Sequence, residues 1–196
     1  MDGDRPGLLE RVPEVRRHKL DIHGYYRMAE AGILTRDDRV ELIEGEIVDM
    51  VPIGSPHSAA VNGLIAVLAG AVQGRATVTA QSPLRLSDTN EPQPDFMLLR
   101  PRADFYRGAH PTAADVLLLV EVAQSSLAYD RRVKLPLYAR HKVPEVWIVN
   151  LGEGVVEVYR EPKDEAYLAT TRAARGDMLE PAALPGLRIA VTEVIG

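Results

Sequence analysis

A chain of 196 residues with 28 acidic and 23 basic side chains has room for one well-buried core and carries a net charge of -5. That balance argues against a protein that coats nucleic acid along its whole surface, but leaves room for a local basic groove around an acidic site. With no cysteine, disulfides, thiolate zinc sites and a cysteine nucleophile are excluded, and the composition fits a reducing, cytoplasmic setting.

Residues 1 to about 19 are polar, proline-containing and charged. They are expected to form a loose lead-in without a signal-like apolar core, followed by a single domain over 20–196. The small-apolar run from Ala59 to Val72 contains Asn62 and is shorter than the ~20 residues a membrane-spanning helix needs. Asp21 is placed to cap a first helix with Tyr25, Met28, Ala29 and Ile33 at helical spacing, and Gly32 ends it. Val40 to Met50 reads as a hairpin turning at Glu44-Gly45, since glycine tolerates the positive φ of a tight turn. Ser55-Pro56 starts a second helix, serine as cap and proline at the first helical position, with Val61, Leu64, Ile65, Leu68 and Val72 as its apolar stripe.

Residues 75–86 suggest two short strands separated by Ser82-Pro83, and 87–92 a loop. Strands are expected near 95–100 and 115–122, then a helix within 127–142. Another strand lies at Val146–Val149 with Trp147 as core, and Gly152-Glu153-Gly154 turns it into Val155–Tyr159. A strand near 166–171 and a short closing strand around Pro185–Ile189 finish the chain. Hairpins followed by a strand–helix–strand unit indicate an α+β (mixed α/β) fold, a central mixed sheet flanked by helices. The strands of that unit should be parallel, joined by a right-handed crossover.

The chemistry-bearing residues sit on these elements. Asp95, after Pro94, opens the apolar run Phe96–Leu99, and Glu121 closes the run Val116–Val120. Lys134 follows in Tyr129–Lys134. Carboxylates at the ends of apolar strands are costly to bury unless paired or metal-bound. Two of them with an ammonium nearby can hold a divalent cation and a water beside a phosphodiester. Each also has an ordinary explanation: Asp95 as a turn residue, Glu121 as the ion-pair partner of Lys134 or Arg131. His57, near a helix N-terminus, suits a phosphate contact as well as a plain surface position. Tyr138, one turn beyond Lys134, suits holding that lysine or packing in the core. Arg131-Arg132 reads as a solvated helix end, or as a contact to a nucleic-acid backbone.

In this order the residues resemble the PD-(D/E)XK nuclease superfamily, and more closely the Uma-type restriction endonuclease family. The matching residues are Glu41-Leu42-Ile43-Glu44-Gly45-Glu46, His57, Pro94-Asp95 and Glu121-Val122-Ala123-Gln124-Ser125-Ser126. They continue through Tyr129-Asp130-Arg131, Lys134, Tyr138-Ala139 and Val143–Val149. The resemblance implies a restriction-endonuclease-like core, Mg2+ or Mn2+ as cofactor, DNA as substrate and a homodimer. It also implies Asp95 and Glu121 as metal ligands, with Glu41 the further acid from the N-terminal part of the fold. Glu41 is preferred to Glu44, which sits at the turn.

One departure stands out. Ala123 occupies the place, two residues after the glutamate, where the superfamily has its lysine. Lys134 is expected to supply the ammonium from the helix, with Gln124 as a backup polar group. Pro136, inside that helix, costs roughly 3 kcal/mol unless it falls in the first turn. The helix should therefore start near Val133 or kink there. The reading is a metal-dependent endonuclease in which Lys134 orients the attacking water. The alternatives are a catalytically inactive relative binding nucleic acid or protein, its site degraded at Ala123, and a small phosphate-ester hydrolase.

Overall fold

The computed structural model describes residues 16–35 and 37–195, so most of the expected lead-in, residues 1–15, lies outside the described residues. The Asp21 carboxylate accepts the Gly24 N–H at 2.7 Å and starts helix α1 (Ile22–Glu30). Strands β1 (Val40–Ile43) and β2 (Glu46–Asp49) pair antiparallel with Ile43 opposite Glu46. Glu44 and Gly45 have φ of 50° and 75°, the two left-handed residues of a twist-matched hairpin turn. A Cβ at Gly45 would lie 2.8 Å from the Lys19 Cβ, so only glycine fits there. Helix α2 (Ser55–Ala71) begins one residue earlier than the sequence suggests. Gly54 is the cap position, Ser55 is already helical, and no side chain caps the first turn.

Six strands form the central sheet in the order β3-β4-β5-β6-β7-β8. They are β3 (Thr77–Ala80), β4 (Phe96–Leu99), β5 (Val116–Ala123), β6 (Glu145–Asn150), β7 (Val155–Lys163) and β8 (Ala166–Ala174). Only β5 and β6 are parallel. The second strand expected before Leu86 does not join the sheet. Leu84 and Leu86 donate instead to the Pro92 and Asn90 carbonyls of their own returning segment, and Pro92 and Pro94 have no N–H to extend that pairing.

Side-chain alternation sorts the strands into two faces. Phe96 and Leu98 of β4 and Leu118, Val120 and Val122 of β5 pack with Leu64 and Leu68 of α2. Met97, Leu99 and Leu119 pack on the other face with Tyr138 and Val143. Glu121 falls on the Leu119 face. Trp147 is fully buried, as expected, its indole N–H donating to Glu145 at 2.7 Å.

That second face is covered by α3 (Leu127–Tyr129), a π turn (Asp130–Lys134) and α4 (Leu135–Arg140). Helical structure thus begins before Val133, at Leu127, but regular α-helix resumes only at Leu135, which puts Pro136 in the first turn of α4. The Leu135 N–H bonds to the Asp130 carbonyl five residues back, and this widened turn accommodates Pro136. Arg131 is not a free helix end: it pairs with Glu157 of β7, while Arg132 is exposed. After β9 (Met178–Leu179) and β10 (Ile189–Ala190), the closing segment ends in a short helix, α5 (Val191–Ile195), where the sequence suggests only a strand. The Glu193 carboxylate accepts the Ala190 N–H at 2.9 Å and turns the chain into it.

Candidate active site

Register brings the two strand acids together. Phe96 pairs with Val120, so Asp95, one residue before β4, comes opposite Glu121, one residue beyond Val120. The Asp95 Oδ2 accepts the Val122 N–H at 2.8 Å, and the Asp95 N–H points to Glu121 Oε2 at 3.4 Å. Asp95 Oδ1 lies 3.0 Å from His57 Nε2 in the first turn of α2. The other imidazole nitrogen, Nδ1, is buried with no hydrogen-bond partner.

The hairpin adds the third acid. Glu91 N–H donates to the Leu42 carbonyl at 2.8 Å, which lays β1 beside the segment running into Asp95. Glu41, 1% exposed, then accepts the Gln93 N–H at 3.1 Å and the Tyr129 hydroxyl at 3.0 Å. Glu44 points to solvent and pairs with Arg140.

The π turn delivers the ammonium. Lys134 Nζ sits 3.3 Å from Glu41 Oε2 and 3.3 Å from Glu121 Oε1, its side chain 7% exposed. One turn on, the Tyr138 hydroxyl donates to Glu121 Oε1 at 2.5 Å. Tyr138 therefore holds the glutamate rather than the lysine.

Asp130 belongs to the same cluster, and the sequence gives it no role. It is 4% exposed and accepts the Ser126 hydroxyl at 2.7 Å. The spacing Ser126, Asp130, Lys134, each four residues from the next, was the readable signal, because it stacks the three on one helical face. Tyr129, quoted only as part of a motif, is the second residue whose role the sequence does not disclose.

Burial governs the protonation of the cluster. It pushes the Glu121 carboxyl up to about 8, with Asp95 and Asp130 adding to the rise and Lys134 and Tyr138 opposing it. It raises Asp130 to about 6 against the pull of Ser126 and Lys134. For Lys134 burial acts downward, but Glu121, Glu41, Asp130 and Asp95 outweigh it and hold the amine above the usual lysine range. Lys134 is thus a fixed ammonium, a donor and not a base.

Glu41, His57, Asp95, Glu121, Tyr129, Asp130 and Lys134 line a cavity of about 270 Å³, together with Gln124, Arg39 and the loop from Val48 to Gly54. A Cβ at Gly54 would come within 3.1 Å of Gln124 Oε1, so the small residue leaves the glutamine its place.

The donor set suits a hard cation. Glu41, Asp95, Glu121 and Asp130 gather around a single lysine; burial favours the protonated form of Glu121 and Asp130, and a divalent ion would offset that cost and let the acids ionise. Among the described residues no three His, Asp or Glu side chains converge to hold a metal ion. The adjacent pair Asp95 and Glu121 fits a magnesium-like ion, which takes one or two carboxylates and keeps several waters.

A central mixed sheet with an acid leading into β4, an acid within β5 and a lysine on the following helix defines a restriction-endonuclease-like fold. The chain belongs to the Uma2 family, described as "Putative restriction endonuclease", whose family model matches residues 23–192. A crystal structure at 1.96 Å from Anabaena variabilis ATCC 29413, described as "a putative nuclease belonging to DUF820", has the same fold. It superposes with a TM-score of 0.71 at 17% identity, over 90% of this chain and 97% of that one. No curated protein matches the chain. Among the described residues no helix is long and apolar enough to cross a membrane.

Proposed function

We propose that the protein is a divalent-metal-dependent endonuclease that hydrolyses DNA phosphodiester bonds, with Mg2+ or Mn2+ as the ion. The observation that carries this reading is Lys134 Nζ, 3.3 Å from both Glu41 and Glu121 on the wall of the cavity that Asp95 also lines. The nuclease descriptions of the family and of the fold neighbour supply the reaction class.

Asp95 and Glu121 would hold the ion, which when bound lowers the pKa of a water and neutralises charge building on the phosphate oxygens. Lys134 donates hydrogen bonds to the attacking water and so orients it for in-line attack. Glu41, braced by Tyr129 and the Gln93 N–H, holds the ammonium in place. Tyr138 fixes Glu121 through Oε1, and His57 fixes Asp95 through Oδ1. For Glu41 to join the ligand set, as the resemblance suggests, it would have to exchange Lys134 for the ion. A homodimer, one site for each strand, and a cytoplasmic location complete the proposal.

The test is cleavage of plasmid, linear and single-stranded DNA with Mg2+ or Mn2+ by wild type, Asp95→Ala and Glu121→Ala. Metal-dependent cutting lost in both variants, with circular dichroism unchanged, is the expected result. Undiminished cutting by either variant would contradict it. A wild type that neither cuts nor binds Mn2+ would leave the non-catalytic binding module as the better account.

A further inference from the structure

We propose that Asp130 is the base of the reaction: its Oδ1 takes the proton from the water that Lys134 orients. The inference rests on the nuclease reading above and adds a catalytic residue to it, since hydrolysis needs a proton acceptor and no residue assigned so far supplies one.

The other groups at the cavity are committed elsewhere. Lys134 is a fixed ammonium and can only donate. Glu41 accepts the Tyr129 hydroxyl on Oε1, and the Gln93 N–H and Lys134 on Oε2. Glu121 Oε1 is taken by Tyr138 and Lys134, and its other oxygen serves the ion. Asp95, the ion's second ligand, accepts the Val122 N–H on Oδ2 and meets His57 on Oδ1. His57 turns Nε2 to Asp95, and its Nδ1 is buried out of reach of a water. Asp49, the last acid of the lining, is exposed, and register sets it on the strand face opposite Glu41.

Asp130 differs from all of these. It is 4% exposed, yet it lines the cavity. Ser126 donates to Oδ2 at 2.7 Å and fixes the carboxylate. Among the described residues Oδ1 accepts no hydrogen bond, and it is not sealed away from the cavity. A buried carboxylate with one oxygen anchored and the other open to the cavity is placed to accept a proton there.

The turn sets acid and ammonium side by side. Asp130 and Lys134 are the first and last residues of the π turn, and their four-residue spacing puts both on one helical face. Each acts on the other's charge. A water held on the ammonium thus meets the carboxylate one turn back. Burial raises the Asp130 carboxyl to about 6, with Asp95 and Glu41 adding to the rise and Ser126 and Lys134 opposing it, and Glu121 faces the same group from β5. Asp130 is therefore a stronger base than an ordinary aspartate and still ionised at neutral pH.

In the step itself the water's O–H bond breaks toward Asp130 Oδ1 as its oxygen forms the new bond to phosphorus. The P–O bond to the sugar breaks, and the departing oxygen keeps the electron pair and takes a proton from solvent. Asp130 then returns its proton to solvent.

Single-turnover cleavage by the full chain across pH, at saturating Mn2+, tests this with wild type, Asp130→Asn and Asp130→Glu, on whichever of plasmid, linear or single-stranded DNA the wild type cuts. Asparagine keeps the size and an acceptor for Ser126 but cannot take the proton. Asp130→Asn should cleave about 10²–10⁴-fold slower at pH 7. Its rate should climb with hydroxide where wild type has levelled off, so the gap narrows as pH rises. Asp130→Glu should keep the levelling-off at a reduced rate. Calorimetry should show Mn2+ bound by Asp130→Asn as by wild type. Undiminished cleavage by Asp130→Asn, a gap constant across pH, or no levelling-off in Asp130→Glu would overturn the inference. So would loss of Mn2+ binding in Asp130→Asn, which would make Asp130 a metal ligand. A wild type that cuts no DNA removes the nuclease reading itself, whereas one that cuts no faster than Asp130→Asn keeps that reading and removes only the base.

Discussion

Lys134 Nζ lies 3.3 Å from Glu121 Oε1, although the lysine stands on a π turn and the glutamate within the central sheet. Ala123, where a strand-borne lysine would stand, lies on the same face as Glu121 and is buried. The ammonium reaches the carboxylate from the covering helix instead, and under the proposed mechanism it takes the part of the strand-borne lysine.

Replacing Lys134 with methionine should separate catalysis from packing. It removes the donor aimed at the reacting groups, and cleavage should fall by roughly 10²–10³. It also strands Glu41 and Glu121, which should lower the unfolding free energy by about 3–5 kcal/mol. Single-turnover cleavage and urea denaturation read the two effects. A variant as stable as wild type would show that the ion pairs contribute little.

Tyr138→Phe keeps the ring and deletes only the hydroxyl that serves Glu121. The loss of a donor to a buried carboxylate should cost about 1–3 kcal/mol of stability and, if Glu121 holds the ion as proposed, slow cleavage by loosening it. Were Tyr138 a packing residue alone, both denaturation midpoint and rate would stay at the wild-type level.

The pH dependence of the metal-free protein follows from Glu121 and Asp130. Burial raises both carboxyls in the folded state, to about 8 and about 6, so the folded chain binds more protons than the unfolded one above the ordinary carboxyl range. Their contribution is complete below pH 4 and is lost as pH climbs to 8. Chemical denaturation without metal should show site stability declining over that window, and Glu121→Gln should flatten it. A rise over the same interval in wild type would reverse the sign of the argument.

Arg131→Ala should unfasten the π turn from β7. Glu157, which is buried, loses its guanidinium partner while Arg131 itself is partly exposed, so a loss of about 1–2 kcal/mol is expected. Because the turn also carries Lys134, cleavage should fall further than stability does. Intact cleavage would mean that Pro136 and the helix contacts position the turn unaided.

Much of this site was legible because its determinants are local. The Asp21 cap, the Glu44-Gly45 turn and the place of Glu44 at that turn, which sets it apart from Glu41, each depend on a few neighbouring residues. Asp95 and Glu121 could be read as acids on apolar strands, but their adjacency is a matter of register between segments far apart in sequence. The missing strand before Leu86 is a matter of pairing: residues 75–86 suggest two strands split at Ser82-Pro83, and the second segment's partners are its own loop. Asp130 and Tyr129 escaped notice because a helical acid or tyrosine is ordinary until the face it lies on is known. Pro136 announced a problem in the helix, and a π turn was the solution that local propensity does not suggest.

Calorimetric titration of Mn2+ into wild type, Asp95→Asn, Glu121→Gln and Lys134→Met tests the division of labour most directly. The account predicts one ion bound by wild type, binding lost in both acid variants, and binding kept or strengthened in Lys134→Met, which removes a positive charge from the cluster. Equal binding by Asp95→Asn and Glu121→Gln, or none by wild type, would contradict it.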